Sequence, residues 1–183
     1  MSTRPAALLV AALATLSACA SQGANKEDQR RLDRLVEDPI TTAVIPGLEP
    51  TSEISSQLAE SSSAVLGGPE TANVVRQTFQ FAEPPANDDL QEATLSFAAA
   101  LSEAGWSAVN ASCIRTAEGP TDVRLRASRT LDGYVERALV AFEPYSSERW
   151  TVVVSLAAPR HDESGGQVER GNGLDCVEQA TVE

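Results

Sequence analysis

Residues 84–106, PPANDDLQEATLSFAAALSEAGW, spell out one helix together with both of its ends. Leu90, Ala93, Thr94, Phe97, Leu101 and Ala104 recur at helical spacing and form one apolar stripe. Asp88 is the expected N-cap, with Gln91 three residues on completing a capping box. Gly105 suits the left-handed position after the last turn, and Trp106 follows where it packs back on Leu101. A helix with a single apolar side must bury it against another layer. The flanking sequence therefore decides the fold.

Downstream the period changes from helical to two. Residues 107–115 place Val109, Ala111 and Cys113 on one face. Residues 122–130 alternate Val123, Leu125 and Ala127 inward with Arg124, Arg126 and Ser128 outward. Asp132-Gly133 is a two-residue hairpin signal. Strands are expected over 133–142 and 149–157, the latter with Trp150, Val152, Val154 and Leu156 on one face. Upstream, residues 51–58 read as a weak strand, and 73–81 as a better one in which Val75, Phe79 and Phe81 share a face. Successive strands with short turns form an antiparallel meander. The expected fold is two-layer α+β: one main amphipathic helix on an antiparallel sheet of about four to six strands. Residues 159–172 read as a polar loop, and 174–182 as a tail.

Toward the N-terminus the pattern weakens. Residues 27–37 allow a short helix with Leu32, Leu35 and Val36 on one face, ended by Asp38-Pro39. It either lies against the domain or offers a small face to a partner. Residues 20–26, ASQGANK, have no periodicity and read as a tether. Before them, Arg4 precedes an uncharged run over 6–16, AALLVAALATL, followed by small residues up to Cys19. A basic start, a short apolar run and a small-residue exit describe a secretory signal peptide. The run of 11 residues is short for a spanning helix, which needs about 20.

The string Leu16-Ser17-Ala18-Cys19 resembles the lipobox of bacterial lipoproteins at every position. The resemblance implies cleavage before Cys19, diacylglycerol on its thiol, and attachment to the cell membrane on the extracytoplasmic face. Two acyl chains anchor stably where one would be marginal. Ala20 stands where an Asp would favour inner-membrane retention in a diderm cell, so inner versus outer membrane stays open for such an organism. Arginine outnumbers lysine 13 to 1, and the whole resembles small lipoproteins of high-GC Gram-positive bacteria. The implied organisation is a signal peptide over 1–18, lipidated cysteine and tether over 19–26, and one domain over 27–183.

With Cys19 assigned to lipid, Cys113 and Cys176 remain as an even pair in an oxidising compartment, and a disulfide is expected. The pair closes a loop of 64 residues, a closure that stabilises by about 4 kcal/mol in the chain-entropy model. The net charge of −12 disfavours nucleic acid as a partner.

Few residues suggest chemistry. The only histidine, His161, lies beside Asp162 and Glu163. A serine-histidine-acid triad or a weak metal site can be drawn through it, but no Gly-x-Ser-x-Gly elbow presents a nucleophile. The acid pairs Glu27-Asp28, Glu37-Asp38, Asp88-Asp89 and Asp162-Glu163 sit at helix starts, breaks and loops, and read as capping or solvating groups. Asn110-Ala111-Ser112 matches a glycosylation sequon and carries little weight in a bacterial setting. Arg124 and Arg126 are the candidate anion or partner surface, with Arg115, Arg129 and Arg137 near them in sequence. The competing reading is a solvated sheet face whose charges pair with Asp122, Glu136 and Glu143. No catalytic residue, metal or cofactor is expected. The expected function is a non-catalytic binding or accessory module of the cell envelope. Its partners would be the bilayer, through acylated Cys19, and an envelope protein. The alternatives are an extracytoplasmic hydrolase using His161, and a small-ligand carrier with its ligand between helix and sheet.

Overall fold

The structure, a computed structural model, describes residues 25–51, 53–61, 71–116, 119–146, 149–165 and 173–174. The chain enters through helix α1 (Lys26–Val36) and a 3-10 turn (Pro39–Thr42). Strands β1 (Leu48–Pro50), β2 (Ser55–Ser61) and β3 (Thr71–Phe81) follow. Helix α2 (Asn87–Glu103) comes next, and then β4 (Ser107–Thr116), β5 (Gly119–Leu131), β6 (Tyr134–Ser146) and β7 (Arg149–Pro159). The expected α+β class is correct. The sheet is larger than the four to six strands expected: seven strands, in the order β1-β3-β7-β6-β5-β4, with β2 also on β3. The expected weak strand over 51–58 corresponds to β2, displaced to Ser55–Ser61, and β1 at Leu48–Pro50 is an additional strand; the two pair with different stretches of the same edge of β3.

Helix α2 ends as its sequence predicts. The Gly105 N–H donates to Ser102 O at 3.1 Å and the Trp106 N–H to Leu101 O at 2.9 Å, the Schellman pair, with Gly105 at φ +81°. Its start differs. The helix begins at Asn87, and Asp89, not Gln91, reaches back, its carboxylate accepting from Ala86 N–H at 2.8 Å. The Asp89 carboxylate at the third helical position supplies the return half of a capping box, and Ala86 has no side-chain acceptor for the other half. The β5–β6 hairpin follows its Asp132-Gly133 signal: both residues have positive φ, 47° and 84°, as a type I′ turn demands. That turn sets Leu131 opposite Tyr134, and so every pairing along the hairpin.

Both helices pack on one face of the sheet. That face carries Val75 and Phe79 from β3, Val123 and Leu125 from β5, Val140 and Phe142 from β6, and Val152, Val154 and Leu156 from β7. Phe97 of α2 sits edge-on between Phe79 and Phe142, with ring centroids 5.7 and 5.9 Å away. Each fully buried side chain of this size stabilises by about 1.5–3 kcal/mol. The opposite, outer face carries a small apolar cluster of Ala72, Val74 and Ala157, with Leu139 against it. Beyond β7, residues 160–165 turn back, and the Val135 N–H donates to Ser164 O at 2.8 Å. Part of the expected loop is thus fixed to β6, and Gly165 is buried there.

Candidate functional site

Helix α1 lies against the domain, and it does so with charged residues. Its buried positions are Asp28, Arg31, Leu32 and Leu35. Arg31 donates to the carbonyl oxygens of Pro159 at 2.9 Å and Arg160 at 2.8 Å, and its guanidinium lies 3.8 Å over the Tyr134 ring. Arg34 donates to Tyr134 Oη at 3.0 Å and pairs with Asp132 at 3.1 Å. Burial and the neighbouring Glu136 charge push the Tyr134 phenol up to about 12. The hydroxyl therefore stays protonated and donates to Glu136 Oε1 at 3.2 Å.

Below this lies a buried ion cluster. Arg129 bridges Asp38 and Glu136, at 2.7 Å to each. The Asp38 and Glu136 side chains are 1 % and 0 % exposed, and Arg129 is 12 % exposed. Arg129 also donates to Ala104 O at 3.2 Å and stacks 4.1 Å from the Trp106 ring. Asp38 additionally accepts from Ile40 N–H, capping the 3-10 turn. The cluster thus ties the segment between α1 and β1 to the end of α2 and to the β5–β6 hairpin. This corrects two sequence-based expectations. Arg129 continues the inward phase of Val123, Leu125 and Ala127, so it belongs to the core side, not to the outer arginines. Glu136 lies directly across the hairpin from it, on the core side too, and so does not neutralise the outer face.

His161 is partnered by Asp28 more than by its sequence neighbours. Its Nδ1 lies 2.9 Å from Asp28 Oδ2 and its N–H donates to Asp28 Oδ1 at 2.8 Å. The Asn73 amide donates to the same carboxylate at 3.2 Å. Burial works against the charge of Asp28, but the hydrogen bonds from Asn73 and His161 outweigh it, and the carboxyl is held below the usual range. The arrangement orients an imidazole and pins the turn after β7 onto α1. Among the described residues no hydroxyl hydrogen-bonds to the ring, and no group of three or more His, Cys, Asp or Glu side chains could hold a metal.

Arg124 and Arg126 stand on the outer face, as the alternation predicts. Arg124 is half-exposed and pairs with Asp122 at 3.0 Å; Arg126 is exposed. The register brings further cations to this face. Arg76, Ser155, Leu139 and Arg126 form one row across β3, β7, β6 and β5, and Arg137 lies opposite Ser128 in the next row. Ser128 is outward but buried. Glu143 is exposed on the same face. On the helix side, the exposed residues of α2 include Asp88, Asp89, Glu92 and Glu103 and that helix has no Lys or Arg, whereas α1 exposes Lys26 and Arg30 beside Asp33.

Of the cysteines, Cys113 is half-buried on β4 and packs against the core. Cys19, Cys176 and the side chain of Arg115 lie outside the described residues, and so does the Cys113–Cys176 pairing. Asn110 accepts from Gly173 N–H at 3.2 Å, and the Ala111 N–H donates to Gly173 O at 2.8 Å. An open depression of about 330 Å³ lies between the Pro46-Gly47 turn and the start of α2, lined by Phe81, Pro84, Asp89 and Glu92 among others. The described helix–sheet interface is filled by Phe97 and its neighbours. No described helix is long and apolar enough to cross a membrane. No protein-family model matches the chain, and no curated protein matches it.

Proposed function

We propose that this chain is a lipid-anchored extracytoplasmic protein, held in the cell membrane through acylated Cys19, whose folded part is a non-catalytic binding or accessory module of the cell envelope. One observation carries the reading. The groups most able to do chemistry, Asp28 with His161 and Asp38 with Arg129 and Glu136, are engaged in holding α1 and the following turn to the sheet. That leaves a broad sheet face, rather than a cleft, as the functional surface. Asn25 and Lys26 are exposed at the start of α1, and Asn25 caps it by accepting from Glu27 N–H at 2.9 Å. The expected tether of 20–26 would then be shorter by its last two residues, since Asn25 caps α1 and Lys26 begins it, and it would lead directly into a helix clamped to the domain.

The Cys113–Cys176 disulfide is part of this proposal. Gly173 is bonded to Ala111 at the edge of β4. Cys176 lies three residues further on, a reach of about 10 Å, and Cys113 lies two residues along β4, about 7 Å away. A bridge needs Cα atoms about 4.4–6.8 Å apart, which this span permits.

Substitution Cys19→Ala in cells tests the anchor. The expected result is transfer of the protein from the membrane fraction to the soluble fraction, with loss of metabolic acyl labelling. Membrane retention of the variant would overturn the reading.

A further inference from the structure

We infer that the outer face of the sheet is a docking surface for an extended acidic peptide segment of a protein partner, whose carboxylates at alternate positions meet Arg124 and Arg126. The inference rests on the reading of the domain as a binding module and names its surface and partner chemistry.

Three observations lead to it. The first is charge segregation. In a chain of net charge −12, the exposed side of α2 is acidic without a single cation, while Arg76, Arg124, Arg126 and Arg137 share the opposite face of the sheet. Arg76 and Arg137 are engaged within the domain, while Arg124 holds a surface pair with Asp122 at 3.0 Å that a partner carboxylate can replace, and Arg126 is exposed. The second is spacing. Arg124 and Arg126 are alternate residues of one strand, so their side chains leave the sheet about 6.7 Å apart. An extended peptide repeats its side chains on one side at the same interval. Carboxylates at i and i+2 therefore meet both guanidiniums, whereas carboxylates at i and i+1 point to opposite sides. The third is the surroundings of the pair. Ile114, 59 % exposed, and half-buried Leu139 and Val153 lie on the same face. Arg124, opposite the small Ala141, keeps its side chain 43 % exposed. Apolar side chains between cations suit a polypeptide better than a phosphate polymer. Arginine adds directional, two-pronged pairing with carboxylates. Asp122 and Glu143 at one end of the face repel a partner that is acidic throughout, and so favour one with few, well-placed acids.

The anchoring geometry favours a polypeptide over the bilayer. Helix α1, which the tether precedes in sequence, lies in the helix layer, on the side of the sheet away from Arg124 and Arg126.

The test uses the full chain in detergent and two fluorescent nonapeptides of identical composition. One carries Glu at alternate positions among Val and Thr; the other carries its Glu residues as adjacent pairs. Fluorescence anisotropy at low salt should give tighter binding of the alternating peptide by up to about fivefold, the gain of one more exposed ion pair. The double variant R124E/R126E should lose that binding and prefer a Lys-alternating peptide, while R30E, a control on exposed α1, should bind as the parent does. Circular dichroism of R124E/R126E checks that the fold is kept, and R124Q/R126Q repeats the measurement without charge reversal if it is not. Equal binding of the two Glu peptides, or no binding of either, overturns the inference. Tighter binding to vesicles containing anionic lipid than to the alternating peptide, lost in R124E/R126E, also overturns it and gives the face to the bilayer. Failure here with Cys19 still acylated overturns the docking surface alone. Peptide binding by a chain found unacylated at Cys19 overturns the anchor alone.

Discussion

Replacing Arg129 with methionine removes the one cation between two carboxylates that are essentially inaccessible to water. Methionine fills most of the volume, so the effect reports charge more than cavity. Breaking a buried ion pair from one side costs about 3–5 kcal/mol, because the remaining charge has neither partner nor solvent. Here Asp38 and Glu136 are both left, 2.7 Å from where the guanidinium stood. Asp38 keeps the Ile40 N–H and Glu136 keeps the Tyr134 hydroxyl, which holds the loss toward the lower end. The stacking on Trp106 adds about 0.5–2 kcal/mol. These terms do not add fully, and the expected loss is about 4 kcal/mol, a large share of the usual 5–15 kcal/mol for a domain. Urea unfolding followed by tryptophan fluorescence reads it directly, since buried Trp106 touches the mutated site. With a slope of about 2 kcal/mol per molar, the midpoint should fall by about 2 M. The companion variant R129M/E136Q should regain part of the loss, because one uncompensated charge is gone. A loss under about 1 kcal/mol for R129M, with no recovery in the double variant, would refute the claim that this cluster clamps the N-terminal segment to the sheet.

Gly165→Ala should be disruptive although it adds one carbon: Gly165 has φ +76°, and a Cβ there would collide with the Val135 carbonyl oxygen. A loss of about 1–3 kcal/mol is expected in the same urea assay, and a change within error would show that the turn after β7 is not held on β6. Asp28 contributes to stability through its lowered pKa. The contribution is present above the unfolded carboxyl value of about 3.9 and is lost as pH falls through the lower folded value. Asp28→Asn should therefore cost about 1–3 kcal/mol at pH 7 and progressively less as pH falls from about 3.9 through the lower folded value. A deficit that is independent of pH would assign Asp28 no linkage role. Cys113→Ser should lower stability by about 4 kcal/mol through loss of the proposed bridge to Cys176, without changing membrane attachment. Thiol titration of the unreduced parent should find neither cysteine free, and two reactive thiols would end that proposal.

Helix α2 was readable because its stripe, its Gly105-Trp106 end and its short flanking turns all agree. The β5–β6 hairpin was readable from two residues, and its register carries a further consequence: it puts Arg129 opposite Glu136. The inward run Val123, Leu125, Ala127 already pointed to Arg129 as an inward residue, so the signal for the buried cluster was present. The partners Asp38 and Trp106 were not readable, because an ion pair across the fold leaves no periodic trace. The same holds for α1. Its apolar face looks thin because half of what it buries is charged, and Asp28 finds His161 133 residues away. Arg124 and Arg126 were legible from strand alternation. Arg76 joins their face only because β7 lies beside β3, a long-range pairing that local pattern does not encode. The split of one edge between β1 and β2 was hidden because both strands are short or polar.

The central claim is that a compact α+β domain is tethered to a bilayer through Cys19, and intact-mass and peptide mass spectrometry of the membrane-extracted protein tests it most directly. The expected product is an N-terminal peptide beginning at Cys19, heavier than its sequence by a thioether-linked diacylglycerol. A chain that retains residues 1–18, or one that begins elsewhere with Cys19 absent or unmodified, would contradict it.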